Sequence, residues 1–454
     1  MSPQVTVYLT NYNYAKYLDQ AIKSVINQTY RDFELLIIDD GSKDNSMDII
    51  KHYEKLENVY VVLQKNKGLT VTNNIALKMA RGNYFMRLDA DDYLDPHCLE
   101  VMVSRFQKDD GLSLIFPDYY EVDESGEIIN QIRRRDFSKD VSLLDQPAHG
   151  ACSMIKTKTL KQVGGYDETF DRQDGYDLWL KMIDTYKIRN INLPLFYYRK
   201  HESSLSSDNT ELLKTRAAIK KKHLEENKIN PISVLGVIPT RGNMMDPRSL
   251  PLKKLGGKCL IDWTVESALN SKLLSHVLVT TPDPNIIDHI KNKFNNQIFL
   301  IKRAEGLARI NEGLQNTIMD AVIRFEDDHP SPDAVMVLNI ESPFKSNLYI
   351  EKAIHTLQLF DVRAVQSVII DDGFFYEHDG NGLVPRVSNS LLRLERDNLY
   401  REAGGITIYN RLDINEKDLP ETNIGHVIVD QTSAFRIDYD IDWKIAESII
   451  NTDE

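Results

Sequence analysis

The chain has 454 residues, of which 42% are hydrophobic, 27% charged and 9% aromatic, with 21 glycines and 16 prolines; this composition excludes a disordered, collagen-like or fibrous protein. The formal charge of −13 argues against a nucleic-acid partner, which needs a basic footprint, and still allows phosphate-bearing substrates held by local sites. At about 100–200 residues per domain, two or three domains are expected. In chain order, Val5–Leu9 predicts a buried strand, followed by a polar turn and a helix with Tyr17, Ala21, Ile22, Val25 and Ile26 on one face. Further strands are predicted at Phe33–Ile38, Val59–Leu63 and Tyr84–Leu88. A charged stretch from Leu212 to Asn227 reads as a helix, opened by Ser203-Ser-Leu-Ser-Ser-Asp208 and closed by Asn230-Pro231. The pattern then restarts with a strand at Val234–Ile238, the polar turn Pro239-Thr-Arg-Gly242 and a helix over Leu260–Leu269. Strands at His276–Thr280, Ile298–Ile301 and Ala334–Leu338 complete it. This alternation predicts an α/β protein whose parallel sheets are covered by helices. We place domains at 1–207 and 232–454, joined by a helical linker over 208–231.

The N-terminus has no basic n-region or apolar h-region, and no uncharged apolar run approaches the ~20 residues of a membrane-spanning helix. A cytoplasmic protein is expected, with peripheral contact at the inner face of the membrane left open by the basic runs Arg133-Arg134-Arg135 and Lys220-Lys221-Lys222. Read simply, both runs are solvated faces. Cys98, Cys152 and Cys259 are far apart in the chain and form no CxxC pair, which argues against a zinc site or a disulfide framework.

In open α/β sheets, ligands sit at the carboxyl ends of strands. Strand one runs into Thr10-Asn-Tyr-Asn13, strand two into Asp39-Asp-Gly-Ser42, and a later strand into Asp89-Ala-Asp-Asp92. Clustered carboxylates repel one another unless a divalent cation or a ligand's hydrogen bonds offset them. Hard oxygen ligands suit Mg2+ or Mn2+. The alternative is that Asp39-Asp-Gly-Ser42 is only a turn and helix cap.

The segment from Val5 to Ser206 resembles a family 2 glycosyltransferase of the GT-A fold. The resemblance rests on an ordered set: Thr10-Asn-Tyr-Asn13, Ser24-Val-Ile-Asn-Gln-Thr29, Asp39-Asp-Gly-Ser42, Asn66-Lys-Gly68 and Leu88-Asp-Ala-Asp-Asp92. Gly164-Gly-Tyr-Asp167, Gln173-Asp-Gly-Tyr-Asp-Leu-Trp-Leu180 and Tyr198-Arg-Lys-His201 follow. It implies that Thr10 and Tyr12 line a nucleotide pocket, that Asp40 accepts from the base and that Asp89 contacts the ribose. It further implies that Asp91 and His201 hold Mn2+ or Mg2+ and that Asp174 is the catalytic base of an inverting transfer. Otherwise Asp174 is a helix-cap aspartate and His201 a solvated loop histidine. Gln173, where relatives more often have glutamate, and Asn73, where they often have arginine, depart from the pattern; Asn73 is expected to alter contacts around the nucleotide. The stretch His149–Met154 falls on the acceptor side, with Cys152 a buried filler, and Tyr197 and Tyr198 read as core.

Residues 234–450 resemble cytidylyltransferases of the CMP-sialic acid synthetase type, through Ile238-Pro-Thr-Arg241, Leu255-Gly-Gly-Lys258, Arg303, Ser342-Pro343, Gly404–Tyr409 and Asp442-Trp443. The fold implied is therefore two tandem Rossmann-like nucleotide-diphospho-sugar transferase domains. Arg241, Lys253, Arg303, Asp438 and Asp440 are the candidate site of the second. Its motifs depart repeatedly: the loop after Arg241 lacks the usual glycine-rich lysine run, and Arg436 stands where a metal-binding aspartate belongs. Asp438 and Asp440, on one side of an extended segment, are expected to compensate, or Arg436 to replace the metal's charge. The leading reading is a metal-dependent glycosyltransferase acting on a nucleotide-sugar donor, of uridine type, and a glycan or lipid-linked acceptor in surface-glycan synthesis. Its C-terminal half is then non-catalytic and suited to homodimer formation. The alternatives are a bifunctional enzyme whose second half makes a CMP-activated acidic sugar, and a non-catalytic assembly scaffold.

Overall fold

The computed structural model describes residues 2–134, 148–201, 208–309, 312–371, 373–386, 399–414 and 422–452. Arg135 and most of the Ser203–Asp208 helix opener lie outside these residues. The chain forms two compact units, Met1–His223 and Leu224–Glu454.

The first unit contains strands β1 (Val5–Asn11), β2 (Phe33–Asp39), β3 (Val59–Leu63), β4 (Tyr84–Asp89), β5 (Tyr93–Leu94), β6 (Leu112–Val122), β7 (Ile128–Ile132), β8 (Met154–Lys156) and β9 (Lys187–Arg199). They form one sheet in the order β3-β2-β1-β4-β8-β6-β9-β5, with β7 paired to β6. The four strands β3, β2, β1 and β4 are parallel, as expected. Beyond β4 the sheet is mixed, because β8 runs antiparallel to both β4 and β6 and so needs no helical crossover.

The helices of this unit are α1 (Ala15–Ile26), α2 (Ser46–Lys51), α3 (Leu69–Met79), α4 (Cys98–Lys108), α5 (Thr157–Gln162), α6 (Asp174–Met182) and α7 (Asn209–Glu226). Because β2 is buried on both faces, its run of apolar residues serves two cores at once. Leu35 and Ile37 join Val7 and Leu9 against α1 and α4, while Leu36 and Ile38 join Tyr8 on the side of α3 and α6. In α1, Leu18, Ala21, Ile22 and Val25 recur at helical spacing and are all buried. Cys98 and Cys152 are both in the first core with their Sγ atoms 3.5 Å apart, as free thiols, so residues far apart in the chain become neighbours.

Helix α7, expected as a linker, docks on this unit. Arg216 bonds Gln173 Oε1 through Nε at 2.6 Å, Lys222 pairs with Asp167, and Lys220 is buried over the ring of Tyr176. The lysine run is therefore not a solvated face: two of its three side chains are spent on packing within the unit. Among the described residues no helix is long and apolar enough to cross a membrane.

The second unit has strands β10 (Val234–Pro239), β11 (Lys254–Leu255), β12 (Lys258–Cys259), β13 (His276–Thr281), β14 (Phe299–Lys302), β15 (Ala334–Leu338), β16 (Ala364–Asp371), β17 (Tyr376–His378), β18 (Leu383–Pro385), β19 (Leu399–Asn410) and β20 (Ile424–Ile428). The main sheet runs β14-β13-β10-β15-β19-β16-β20. Here six of the seven strands run in one direction, and β19 alone is reversed, between β15 and β16. Its helices are α8 (Leu260–Leu269), α9 (Pro284–Phe294), α10 (Leu314–Glu326), α11 (Asn347–Leu359), α12 (Gln431–Ala434) and α13 (Asp440–Thr452). Asp283 caps α9 ahead of Pro284, and Ser346 caps α11, as their residue types favour.

Helix α6, which carries Asp174 at its first position, is anchored by Trp179, 1% exposed and edge-on to Phe116 at 5.8 Å. Truncation to alanine should leave a cavity there; Trp179→Ala is expected to cost about 3–5 kcal/mol of unfolding free energy in a urea titration, and a change within error would show that the helix is held elsewhere.

Candidate active site

The register of the parallel strands aligns their carboxyl ends: Thr10 lies opposite Asp89 and Asn11 opposite Asp39. Thr10 Oγ1 donates to Asp89 Oδ1 at 3.2 Å. The two aspartates after β2 divide their work. Asp39 builds the turn, accepting from Gly41 N, Ser42 N and Asn11 Nδ2 at 3.1, 2.8 and 2.7 Å. Asp40 is held by the segment after β3: Oδ1 accepts from Gln64 Nε2 and Lys67 N at 2.8 Å, and Oδ2 accepts from Gly68 N at 2.9 Å. Gly41 sits at φ +83° between them, where a Cβ would come within 2.9 Å of Asn66 N.

Past β4 the carboxylates crowd. Burial and the charges of Asp91 and Asp174 push the Asp89 carboxyl up to about 6, against the opposing pull of Arg87. Burial and the charges of Asp91 and Asp89 raise Asp92 well above the usual carboxylate range. Asp92 Oδ1 accepts from Arg199 N at 2.9 Å. The guanidinium of Arg199 bonds the carbonyls of Asp91, Asp123 and Glu124 and lies 4.6 Å from the Tyr17 ring centroid. Asp91 Oδ2 meets His201 Nε2 at 2.9 Å, with His201 buried against Tyr14 and Tyr17. These two ligand atoms converge from β9 and the β4 loop, and among the described residues no third histidine, cysteine or carboxylate atom joins them within 4.8 Å. An oxygen–nitrogen pair beside mutually repelling carboxylates fits a divalent cation whose remaining positions are filled by a phosphate ligand and water.

Asp174 opens α6 after Gln173, which takes the left-handed φ of +59°. Its Oδ2 accepts from Asn73 Nδ2 at 2.8 Å and pairs with Arg87 Nη1. Oδ1 accepts neither bond. Arg87 also stands 3.1 Å from Asp89 through Nε, so one buried guanidinium lies between the two carboxylates. Gly150 makes room for it: a Cβ there would fall 2.6 Å from Arg87 Nη2. Asn73, expected near a nucleotide, instead turns inward to Asp174.

Thr10, Tyr12, Asp40, Asp89, Asp91 and Asp174 line one cavity of about 560 Å3. His201 stands outside that lining and meets it through Asp91. Arg87 and Arg216 also line the cavity: the signal of Arg87 in the sequence is a cation inside the apolar run Tyr84–Leu88, and Arg216 enters from α7. Tyr198, expected as core, also lines it, whereas Tyr197 stacks on Tyr93 at 4.5 Å.

In the second unit the candidate residues are dispersed. Arg303 bonds Thr240 O and, at 3.1 Å, Thr317 Oγ1; burial and the charge of Arg241 push it down to about 10. Lys253 lies over the Trp443 ring at 4.0 Å. Arg436 pairs with Asp438 at 2.8 Å. Among the described residues no hydrogen bond or ion pair joins these three groups. Asp438 and Asp440 do not share an extended face: Asp440 is the first residue of α13, and Asp442 Oδ2 caps the turn by accepting from Asp438 N and Tyr439 N at 2.9 and 2.8 Å. Cys259, Asp262 and His289 offer ligand atoms within 4.8 Å of one another. Asp262 is nevertheless already committed, to His289 at 2.7 Å, Lys293 at 2.9 Å and Cys259 N at 3.0 Å.

Comparisons with known proteins follow the same division. The model of "Glycosyl transferase family 2" matches residues 6–164, and that of "Cytidylyltransferase" matches residues 250–450. An uncharacterized glycosyltransferase of Methanocaldococcus jannaschii is 32% identical over 206 residues, covering 43% of this chain and 71% of the relative. The chain belongs to glycosyl transferase family 2. Chondroitin synthase of Escherichia coli is 30% identical over 191 residues, 42% of this chain, and hyaluronan synthase of Pasteurella multocida 31% over 214 residues, 47% of this chain. The matches span only 28% and 21% of those two relatives' own lengths. Among solved structures, S. aureus TarS 1-349 in complex with UDP-GlcNAc aligns at TM-score 0.42 and 19% identity, covering 49% of this chain and 66% of that one.

One titration is built into the cavity wall. His149 is buried against Tyr119, Phe196 and Tyr198, and its Nδ1 accepts from Ala151 N at 3.2 Å. Burial and the Arg87 charge hold it down from 6.5 to about 3. A histidine kept neutral in the folded chain supplies stability above its unfolded value, and that stability is lost as the pH falls. The urea midpoint should therefore drop between pH 6.5 and about 3, with a shallower drop in His149→Gln; parallel profiles would show that His149 protonates freely.

Proposed function

We propose that the first unit is a metal-dependent, inverting glycosyltransferase that moves a sugar from a nucleotide-sugar donor to a glycan or lipid-linked acceptor. The observation that carries this reading is the gathering of Asp40, Asp89, Asp91 and Asp174 from three chain segments around one cavity. Asp40 keeps acceptor capacity on Oδ2 for a base N–H, and Thr10 with Asp89 lies where a ribose would bond. Asp91 and His201 would hold Mn2+ or Mg2+, which when bound offsets charge on a departing nucleoside diphosphate. Asp174 takes the acceptor hydroxyl's proton on Oδ1, while Arg87 and Asn73 hold Oδ2 and so fix the carboxylate's orientation. A single displacement by that hydroxyl inverts the anomeric carbon. The names of the chondroitin and hyaluronan synthase relatives support polysaccharide synthesis as the setting.

The second unit is read as a retained nucleotidyltransferase fold without catalysis, used for binding or dimer formation. Support comes from Arg436, whose permanent charge is already paired with Asp438 where a metal's carboxylates are expected. The bifunctional reading draws on the adjacent Arg241 and Arg303, like charges whose proximity favours an anion such as a triphosphate.

With a panel of UDP- and GDP-sugars and Mn2+, Asp91→Ala and Asp174→Asn should each lower nucleoside diphosphate release on transfer by about 100-fold or more; the unfolding midpoint should also fall in Asp174→Asn, which strips Arg87 of a buried counter-charge. Undiminished transfer in either variant would refute the assigned roles. The full chain should release no pyrophosphate from CTP and N-acetylneuraminate; release that Asp438→Ala abolishes would establish the bifunctional enzyme instead.

A further inference from the structure

The wall of the cavity beside Asp174 carries a cation with no counter-ion among the described residues. Arg216, half-buried on α7, lines the cavity and uses Nε to bond the side-chain oxygen of Gln173 at 2.6 Å. Its guanidinium lies 4.9 Å from the Tyr176 ring centroid, and Lys220, one turn on, lies over the same ring at 5.7 Å. Among the described residues no carboxylate comes within ion-pair distance of Arg216, and neither Nη nitrogen is bonded. The neighbouring Arg172 differs, since Asp171 stands 3.4 Å from its Nε. An amide at position 173 satisfies one N–H of Arg216 but leaves its charge uncompensated in a partly closed space.

The position of that charge is informative. Gln173 immediately precedes Asp174, so Arg216 is tied to the residue next to the proposed base, whereas the diphosphate end is marked by Asp91 and His201. A group reaching Arg216 therefore belongs to the molecule that presents its hydroxyl to Asp174. We propose that Arg216 is an anion subsite for the acceptor, so that the acceptor sugar carries a carboxylate or a phosphate near the reacting hydroxyl. The planar fork of two open Nη groups matches either anion, and the Tyr176 ring holds the guanidinium in plane for it. This inference rests on the assignment of Asp174 as the base.

The test is a titration of the full chain, saturated with UDP and Mn2+, with methyl β-D-glucuronide, glucose 6-phosphate and methyl β-D-glucoside, read by ligand-observed NMR. One or both anionic sugars should bind about tenfold tighter than the neutral one, the scale of a charge-assisted hydrogen bond, and the preferred anion identifies the acceptor's group. Arg216→Gln should erase the preference. Gln173→Glu should erase it too, because it keeps the arginine and supplies the missing counter-charge; this second variant separates loss of the subsite from loss of fold. Equal binding of all three sugars, or a preference that survives both substitutions, overturns the subsite. A fall in UDP affinity in Arg216→Gln places the arginine on the donor diphosphate and overturns the acceptor assignment. Failure of UDP to bind the unaltered chain with Mn2+ refutes the donor reading instead.

Discussion

Arg87 is a permanent cation buried in the middle of an apolar strand, and its burial would cost several kcal/mol without partners. The pairing with Asp174 supplies one partner and Asp89 a second, from opposite directions. The whole cavity is organised around that requirement. It fixes where α6 begins and favours the left-handed turn at Gln173 that brings the helix's first carboxylate inward. It also favours glycine at position 150, where a Cβ would displace the guanidinium. Remove the cation and three carboxylates of one sign would face one another across a low-dielectric space.

Arg199 does for the backbone what Arg87 does for the side chains. It draws the carbonyls of Asp91, Asp123 and Glu124 onto one guanidinium, so the loop after β4 is clamped to the far end of the sheet. The carboxylate of Asp91 is left facing His201, on a frame held by these backbone bonds. The second unit uses the same chemical parts otherwise. There Arg436 is partly exposed and closes on Asp438, and Lys345 is buried among Thr264 Oγ1 and the carbonyls of Asn339 and Ser342. Burial pushes Lys345 down to about 7. Those cations, like Arg199, satisfy the protein's own acceptors, whereas Arg87 borders a cavity.

The fold was legible wherever the pattern was local. Strand positions such as Val59–Leu63 and Ala334–Leu338 follow from apolar runs between turn residues, and the helix Leu260–Leu269 from its spacing. The strand-end aspartates were legible for a related reason: parallel strands in register bring like ends together, so one rule places Thr10, Asp40 and Asp89 side by side. Pairings across long stretches of chain were not legible. Nothing near Arg87 announces Asp174, 87 positions away, and nothing near Asn73 announces the same carboxylate. Tyr197 and Tyr198 alternate faces on β9, so one packs and the other lines the cavity, a distinction that adjacency in sequence conceals. The reversed strands β8 and β19 escaped because β8 has only three residues, too few to show a period, and β19 is interrupted by Gly404 and Gly405, both at positive φ. Asp440 escaped because α13 begins at that residue, where an extended segment had been inferred.

The docking of α7 alters how the two halves can be taken apart. A fragment ending at the apparent boundary, before residue 208, would discard one wall of its own cavity and expose the face of Tyr176 that Arg216 and Lys220 cover. The segment that joins the units is thus also a component of the first, and the seam of the fusion lies inside a helix. Any exchange of the C-terminal half among relatives, by recombination or by design, is constrained to preserve that helix through His223, because one wall of the first unit's cavity depends on it.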